Sequence, residues 1–143
     1  MRRLLCPATA LMAATVGLAK AQPAEPNCAD PQTQMEMTAC AAQDYEAADD
    51  ELNALWPDMI ANTRSRDADM GSFFEERGLP TTEEILRAAQ RAWIAYRDAE
   101  CDYQAYDALG GTMQPMLGSE CRARLTAERV SQWRQELSER QSR

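Results

Sequence analysis

Met37, Ala41, Tyr45, Ala48, Leu52, Leu55 and Met59 recur at intervals of 3 or 4 residues, and Gln43, Asp44, Glu46, Asp49, Asp50, Glu51 and Asn53 fill the gaps. That period is one face of an α-helix. Two starts are written ahead of it. Asp30 before Pro31 has the form of an N-cap with proline at the first helical position, and Thr33 with Glu36 has the form of a capping box. Residues 22–29, with Pro23 and Pro26, read as an extended leader. Pro57 interrupts the stripe. Its ring would meet the carbonyl of Asn53, so a kink or early stop is expected there.

Residues 67–80, with Gly71, Gly78 and Pro80, break the period and read as a loop holding at most a short helical turn. Phe73 and Phe74 are expected beneath it, with Asp67, Asp69, Glu75 and Glu76 toward water. Thr81 and Glu84 form a second capping box, opening a helix that runs to about Leu109. Its expected core stripe is Leu86, Ala89, Trp93, Tyr96 and Tyr103, flanked by Ala88, Ala92, Ala95 and Ala99. Gly110 and Gly111 end that helix. Residues 112–118 read as a turn. Ser119 reads as the N-cap of a third helix burying Leu125, Val130, Trp133 and Leu137, with a fraying tail from Ser138. No stretch alternates as a strand does, and after residue 21 the chain has only Val130 and three Ile. The expected fold is all-α, a small antiparallel bundle of three main helices.

The first residues read differently. Arg2 and Arg3, the apolar run from Leu4 to Ala19, and Ala19-Lys20-Ala21 form the head, core and cleavage site of a secretory signal peptide spanning 1–21. Residues 22–143 then form a single domain, with its core at about 28–137. The apolar run includes Pro7 and Gly17 and falls short of the roughly 20 clean residues a membrane span needs. No lipobox precedes Cys6 or Cys28, so no membrane attachment is expected after cleavage. The expected location is the periplasm or the outside of a bacterial cell.

Cleavage also changes charge and cysteine count. The whole chain carries 15 basic and 23 acidic residues, a net charge of −8; removing Arg2, Arg3 and Lys20 leaves 12 Arg against 23 acids, or −11. A chain this acidic repels nucleic acid and favours cationic partners. Cys6 leaves with the signal, and Cys28, Cys40, Cys101 and Cys121 remain. An even count in an exported chain points to two disulfides. Their spacings of 12, 61 and 20 residues contain no CxxC pair, and the chain has no His to complete a metal site. Three pairings are open. In up-down-up order Cys40, Cys101 and Cys121 fall at one end of the bundle, and Cys28 leads into that end.

The absence of His also removes Ser-His and Cys-His nucleophile pairs and any His general base. No catalytic motif is present, so no catalytic, cofactor-binding or metal-ligating residue is assigned and the chain is not expected to be an enzyme.

Three stretches carry a family signature. The first is Thr33-Gln34-Met35-Glu36-Met37-Thr38-Ala39-Cys40, followed by Tyr45, Ala48-Asp49 and Leu52-Asn53. The second is Ala89-Gln90-Arg91-Ala92-Trp93-Ile94-Ala95-Tyr96-Arg97-Asp98-Ala99 with Cys101. The third is Gly110-Gly111-Thr112-Met113 with Pro115-Met116, then Cys121, Leu125-Thr126 and Arg129. Together they resemble the lysozyme inhibitor LprI-like N-terminal domain family over nearly all of 28–137. The resemblance implies a small secreted or periplasmic helical domain with paired cysteines, whose named member is a lipoprotein that inhibits lysozyme. This chain departs from the pattern in lacking a lipobox and in placing Trp56-Pro57 where relatives tend to continue a helix with Tyr.

Two functional classes follow. The first is inhibition of a cationic lysozyme, bound and occluded by a rigid loop. The candidates are 67–80, with its four acids, and 110–118, which the disulfides would hold rigid through Gly110, Gly111, Thr112, Met113, Pro115 and Met116. The alternative is a non-catalytic cell-envelope interaction or scaffold module. Trp93, Tyr96, Arg97 and Asp98 read either as a partner platform or as a core group. In the core reading Trp93 and Tyr96 are buried, Arg97 pairs with a first-helix acid such as Asp49, and Asp98 serves another helix end. Asp49 and Asn53, four residues apart on the first helix, are expected in the same buried polar network, where a buried Arg–Asp contact needs full pairing.

Overall fold

The capping box at Thr33 forms as its spacing predicts. The Glu36 N–H donates to Thr33 Oγ1 at 3.1 Å and the Thr33 N–H donates to Glu36 Oε2 at 3.0 Å. From this cap runs α1, Gln34–Asp69, 36 residues long. A short α2, Phe73–Arg77, is followed by α3, Thr82–Ala105, a 3₁₀ turn at Tyr106–Ala108, and α4, Gln114–Gln141. The computed structural model describes residues 25–142, and among these there is no strand. The signal peptide reading falls on residues outside the described range. No described helix is long and apolar enough to cross a membrane.

The apolar stripe of α1 lies against α4 and α3. Leu52 and Met59 of α1 join Val130 and Trp133 of α4 in the central cluster, with Leu55, Trp56, Leu86, Trp93 and Leu137 packed around it. Trp56 stacks on Trp133 with ring centroids 5.6 Å apart. The helix does not stop at Pro57, so the early stop is ruled out. The proline sits on the exposed face. Leu52 before it and Met59, Ile60 and Thr63 after it are all buried. Burying side chains of this kind, at about 1.5–3 kcal/mol each, outweighs the roughly 3 kcal/mol cost of an interior proline.

The 67–80 segment also differs from a solvated loop. α1 continues to Asp69, and the half-buried Asp67 turns inward to cap α3. Its two carboxylate oxygens accept from the N–H groups of Thr82 (2.9 Å) and Glu83 (3.0 Å). This supplements the Thr81–Glu84 capping box, where the Glu84 N–H reaches Thr81 Oγ1 at 3.2 Å. Glu83 then joins Arg64 of α1 and Arg87 of α3, each at 2.6 Å. One end of the bundle is therefore closed by carboxylates.

α4 begins at Gln114, not after Ser119. Pro115 falls in its first turn, where a missing N–H costs nothing. Five residues of the expected turn thereby become helix. Gly118 lies inside this first stretch because α4 comes close to α3. A Cβ there would meet Arg122 Nη1 at 3.0 Å and Ala105 Cβ at 3.5 Å. At its other end α4 stays helical to Gln141 instead of loosening at Ser138.

The disulfides join Cys28 to Cys40 and Cys101 to Cys121, which selects one of the three pairings. The first ties the leader to α1; the second ties α3 to α4. Closing loops of 12 and 20 residues stabilises the fold by about 3 kcal/mol each in the chain-entropy account. A non-reducing peptide map of secreted protein is expected to return these two cross-links and no others. Replacing either pair by serine is expected to lower unfolding stability by about 3 kcal/mol in urea titration.

Carboxylates at both ends of the bundle set a pH dependence. Hydrogen bonds from Arg64 and Arg87 hold the Glu83 carboxyl below its ordinary value, and the Gln32 and Thr33 N–H groups with the Thr33 hydroxyl do the same for Glu36. Each binds fewer protons folded than unfolded. Their stabilisation is therefore complete above the unfolded carboxylate range, about pH 4.3, and is lost as pH falls through the lower folded values. The thermal midpoint is expected to hold from neutrality down to that range and to drop below it. Glu83→Gln should shallow the acid limb.

Candidate binding end and the arginine beneath it

α3 buries only part of the expected apolar stripe. Gln90, Arg97, Cys101 and Ala105 are its buried residues, with Leu86 and Trp93 half-buried on the same face. The spacing from Leu86 through Gln90, Trp93, Arg97 and Cys101 is helical. It turns Ala88, Ala89, Ala92, Ala95 and Ala99 outward, and with them Tyr96 (56% exposed) and Tyr103 (74%). Tyr96 is thus not a core residue. A hydropathy reading places the alanine and tyrosine face inward. The structure instead buries the face that carries Gln90 and Arg97, because those polar groups find partners across the bundle.

Arg97, only 5% exposed, is held from three sides. Its Nη1 donates to Asp49 Oδ1 of α1 at 3.0 Å and to Thr126 Oγ1 of α4 at 3.3 Å. Its Nε donates to Asp98 Oδ1 at 2.9 Å. The guanidinium carbon lies 5.2 Å from the Tyr45 ring centroid and 5.3 Å from that of Trp93, both within cation–π range. Burial pushes the guanidinium pKa down, but the bonds to Asp98 and Asp49 outweigh it and leave the group above its ordinary value. Burial likewise pushes the Tyr45 phenol up, with Arg97 opposing the shift. The cation is therefore permanent. It ties α1, α3 and α4 together at one point.

The other predicted polar residues gather around it. Asn53 Nδ2 donates to Asp49 Oδ2 at 3.0 Å, from an exposed position. Asp98 reaches α4 through Arg122 Nε at 3.8 Å, and Arg122 also bonds Asp102. Thr126 and Arg122 were not singled out from sequence as members. The available signal was their place one helical turn either side of each other on α4, on the face shared with Cys121.

Above Arg97 the two disulfides gather the start of α1, the end of α3 and the start of α4. The loop between α3 and α4 sits on this clamp. Gly110 adopts φ +77°, a left-handed conformation that favours glycine, and its N–H donates to Gln114 Oε1 at 2.9 Å. The Gly111 N–H donates to the Ala108 carbonyl at 2.8 Å. The first bond ties the loop to α4, and the second closes the turn back on Tyr106–Ala108. The loop residues then divide. Met116 is buried, its sulfur accepting from Gln34 Nε2 at 3.4 Å, so it anchors the loop instead of presenting itself. Gly110, Gly111, Thr112, Met113 and Pro115 are exposed, as are Leu109 (65%) and Met35 (81%). An open apolar groove of about 560 Å³ runs between Met35, Thr38, Ala39 and Ala42 on α1 and Thr112 and Pro115. This end offers shape and apolar surface on a rigid base. It suits docking to another macromolecule more than chemistry.

Comparison with known proteins gives a consistent outcome. The family described as lysozyme inhibitor LprI matches residues 26–133. An uncharacterized protein of Rhizobium meliloti (strain 1021) is 39% identical over 130 residues, covering 91% of this chain and 92% of its own. No solved structure matches.

The Arg97 centre makes a stability prediction. Asp49→Ala removes one charged hydrogen-bond partner from a buried cation and should cost about 1.5–3 kcal/mol in urea unfolding. Arg97→Lys should not restore wild-type stability, because one ammonium cannot replace a planar fork that reaches α1, α4 and Asp98 together. A fully stable lysine variant would contradict this assignment.

Proposed function

The chain belongs to the lysozyme inhibitor LprI family, and on that premise we propose that it is an exported binding protein that docks on a lysozyme and occludes its cleft. The family match over residues 26–133 is the observation that carries this reading. In it, residues 1–21 direct export to the periplasm or beyond and are removed. The remaining residues fold as one domain and oxidise to two disulfides, as suits such a compartment.

Two physical features support it. A net charge of −11 after cleavage steers the protein toward a cationic target and speeds association at low salt. The clamped end then supplies the contact: Met35, Leu109 and Met113 protrude from a base that the disulfides and Met116 hold still. Apolar side chains already ordered before binding lose little conformational freedom on docking. The protein acts by occupancy and contributes no reactive group.

The test is clearing of a bacterial suspension by several lysozymes, with and without the oxidised protein. Excess protein is expected to slow clearing at low salt, and added salt to weaken the effect as charges are screened. Leu109→Asp with Met113→Asp should abolish most of the inhibition while leaving the thermal midpoint in place. Undiminished clearing across lysozyme types would overturn the reading and leave the envelope interaction module in its place.

A further inference from the structure

Between α1 and α3, in the half of the bundle away from the disulfides, lies a cleft of about 290 Å³ that Trp133 of α4 also lines. Volumes near this size suit a single small molecule. Two arginines line the cleft, Arg87 and Arg91, and no carboxylate does. In a chain with 23 acids and 15 bases, such a cleft is a local reversal of sign.

The polar groups facing the cleft are mostly donors with capacity to spare. Arg91 forms no ion pair or side-chain hydrogen bond among the described residues. Arg87 spends Nε and Nη2 on Glu83, which leaves its Nη1 free. Gln90 adds a third donor to the lining. It is 9% exposed, and Arg129 Nε donates to its carboxamide oxygen at 3.3 Å. Arg129 can only donate, so that bond fixes which end of the amide faces it. The Gln90 NH₂ is thereby left toward the cleft, with no partner among the described residues. Among the described residues only Arg140 Nε is a buried side-chain polar atom without a partner, so the Gln90 NH₂ reaches solvent. An acceptor placed in the cleft would take the place of that solvent.

The walls between these donors are apolar: Leu52 and Trp56 on α1 and Ile94 on α3. We propose that this cleft is a binding site for a small organic carboxylate, its anionic head between Arg87, Arg91 and the Gln90 amide and its apolar body against Trp56 and Ile94. A carboxylate matches a set of donors, since when ionised it only accepts. The apolar walls select against a bare inorganic anion. The site is separate from the clamped end and does not depend on the lysozyme reading.

Benzoate is a suitable probe, because it joins a carboxylate to a flat apolar body. Titration of the oxidised protein, read by tryptophan fluorescence and calorimetry, should show saturable binding. Acetate and inorganic phosphate lack the body, and benzyl alcohol lacks the charge; each should bind at least tenfold more weakly. Arg91→Gln, at an exposed position, and Gln90→Glu, which keeps an acceptor for Arg129 but turns a negative charge into the cleft, should each weaken benzoate about tenfold. Circular dichroism should show both variants folded. No saturable response to benzoate up to its solubility limit overturns the proposal. So does benzoate binding that Arg91→Gln leaves unchanged, or phosphate or acetate binding as tightly as benzoate.

Discussion

A guanidinium buried among three helices constrains this bundle more than any apolar contact does. Arg97 cannot give up its charge, and a cation out of water is tolerated only with its donors met. Asp49 on α1, Thr126 on α4 and Asp98 on α3 meet them together. Sliding or rotating any one helix would leave the charge short of a partner. The apolar cluster of Leu52, Met59, Val130 and Trp133 supplies attraction without direction. The arginine adds the direction, fixing which face of α3 turns inward.

That constraint explains what could be read from the chain and what could not. The caps at Thr33 and Thr81 are local devices, decided by residues three apart, and both form where the sequence writes them. The α1 stripe is also legible, because its buried positions are apolar. The α3 face is legible in part: Leu86 and Trp93 turn toward the core as the stripe predicts, while Ala89, Tyr96 and Tyr103 turn outward because the buried line runs through Gln90 and Arg97. The pairing of Arg97 with an α1 acid was readable from charge. Its burial in a polar network was readable with it; the parts played by Thr126 and the Tyr45 and Trp93 rings were not, because only the fold brings them near. Ser119 looked like a helix start through its residue type, while Pro115 in a first turn was the better sign.

The two ends of the molecule have different work. Carboxylates close the far end: Asp67 caps α3, and Glu83 gathers arginines from two helices. Disulfides close the near end and present Met35, Leu109 and Met113. With its helices pinned at Arg97 just below, the near end is preorganised, which is what an occluding inhibitor requires. In the proposed inhibitory role, the acidic body would add long-range attraction to a cationic target without having to touch it.

Hydrogen–deuterium exchange of the oxidised protein with and without a bound lysozyme tests this account most directly. The account predicts slowed exchange confined to the first turns of α1 and to residues 109–115, with the Arg97 region slow in both states. Slowed exchange along the outward face of α3 or at the carboxylate-closed end, with the 109–115 loop unchanged, would contradict it.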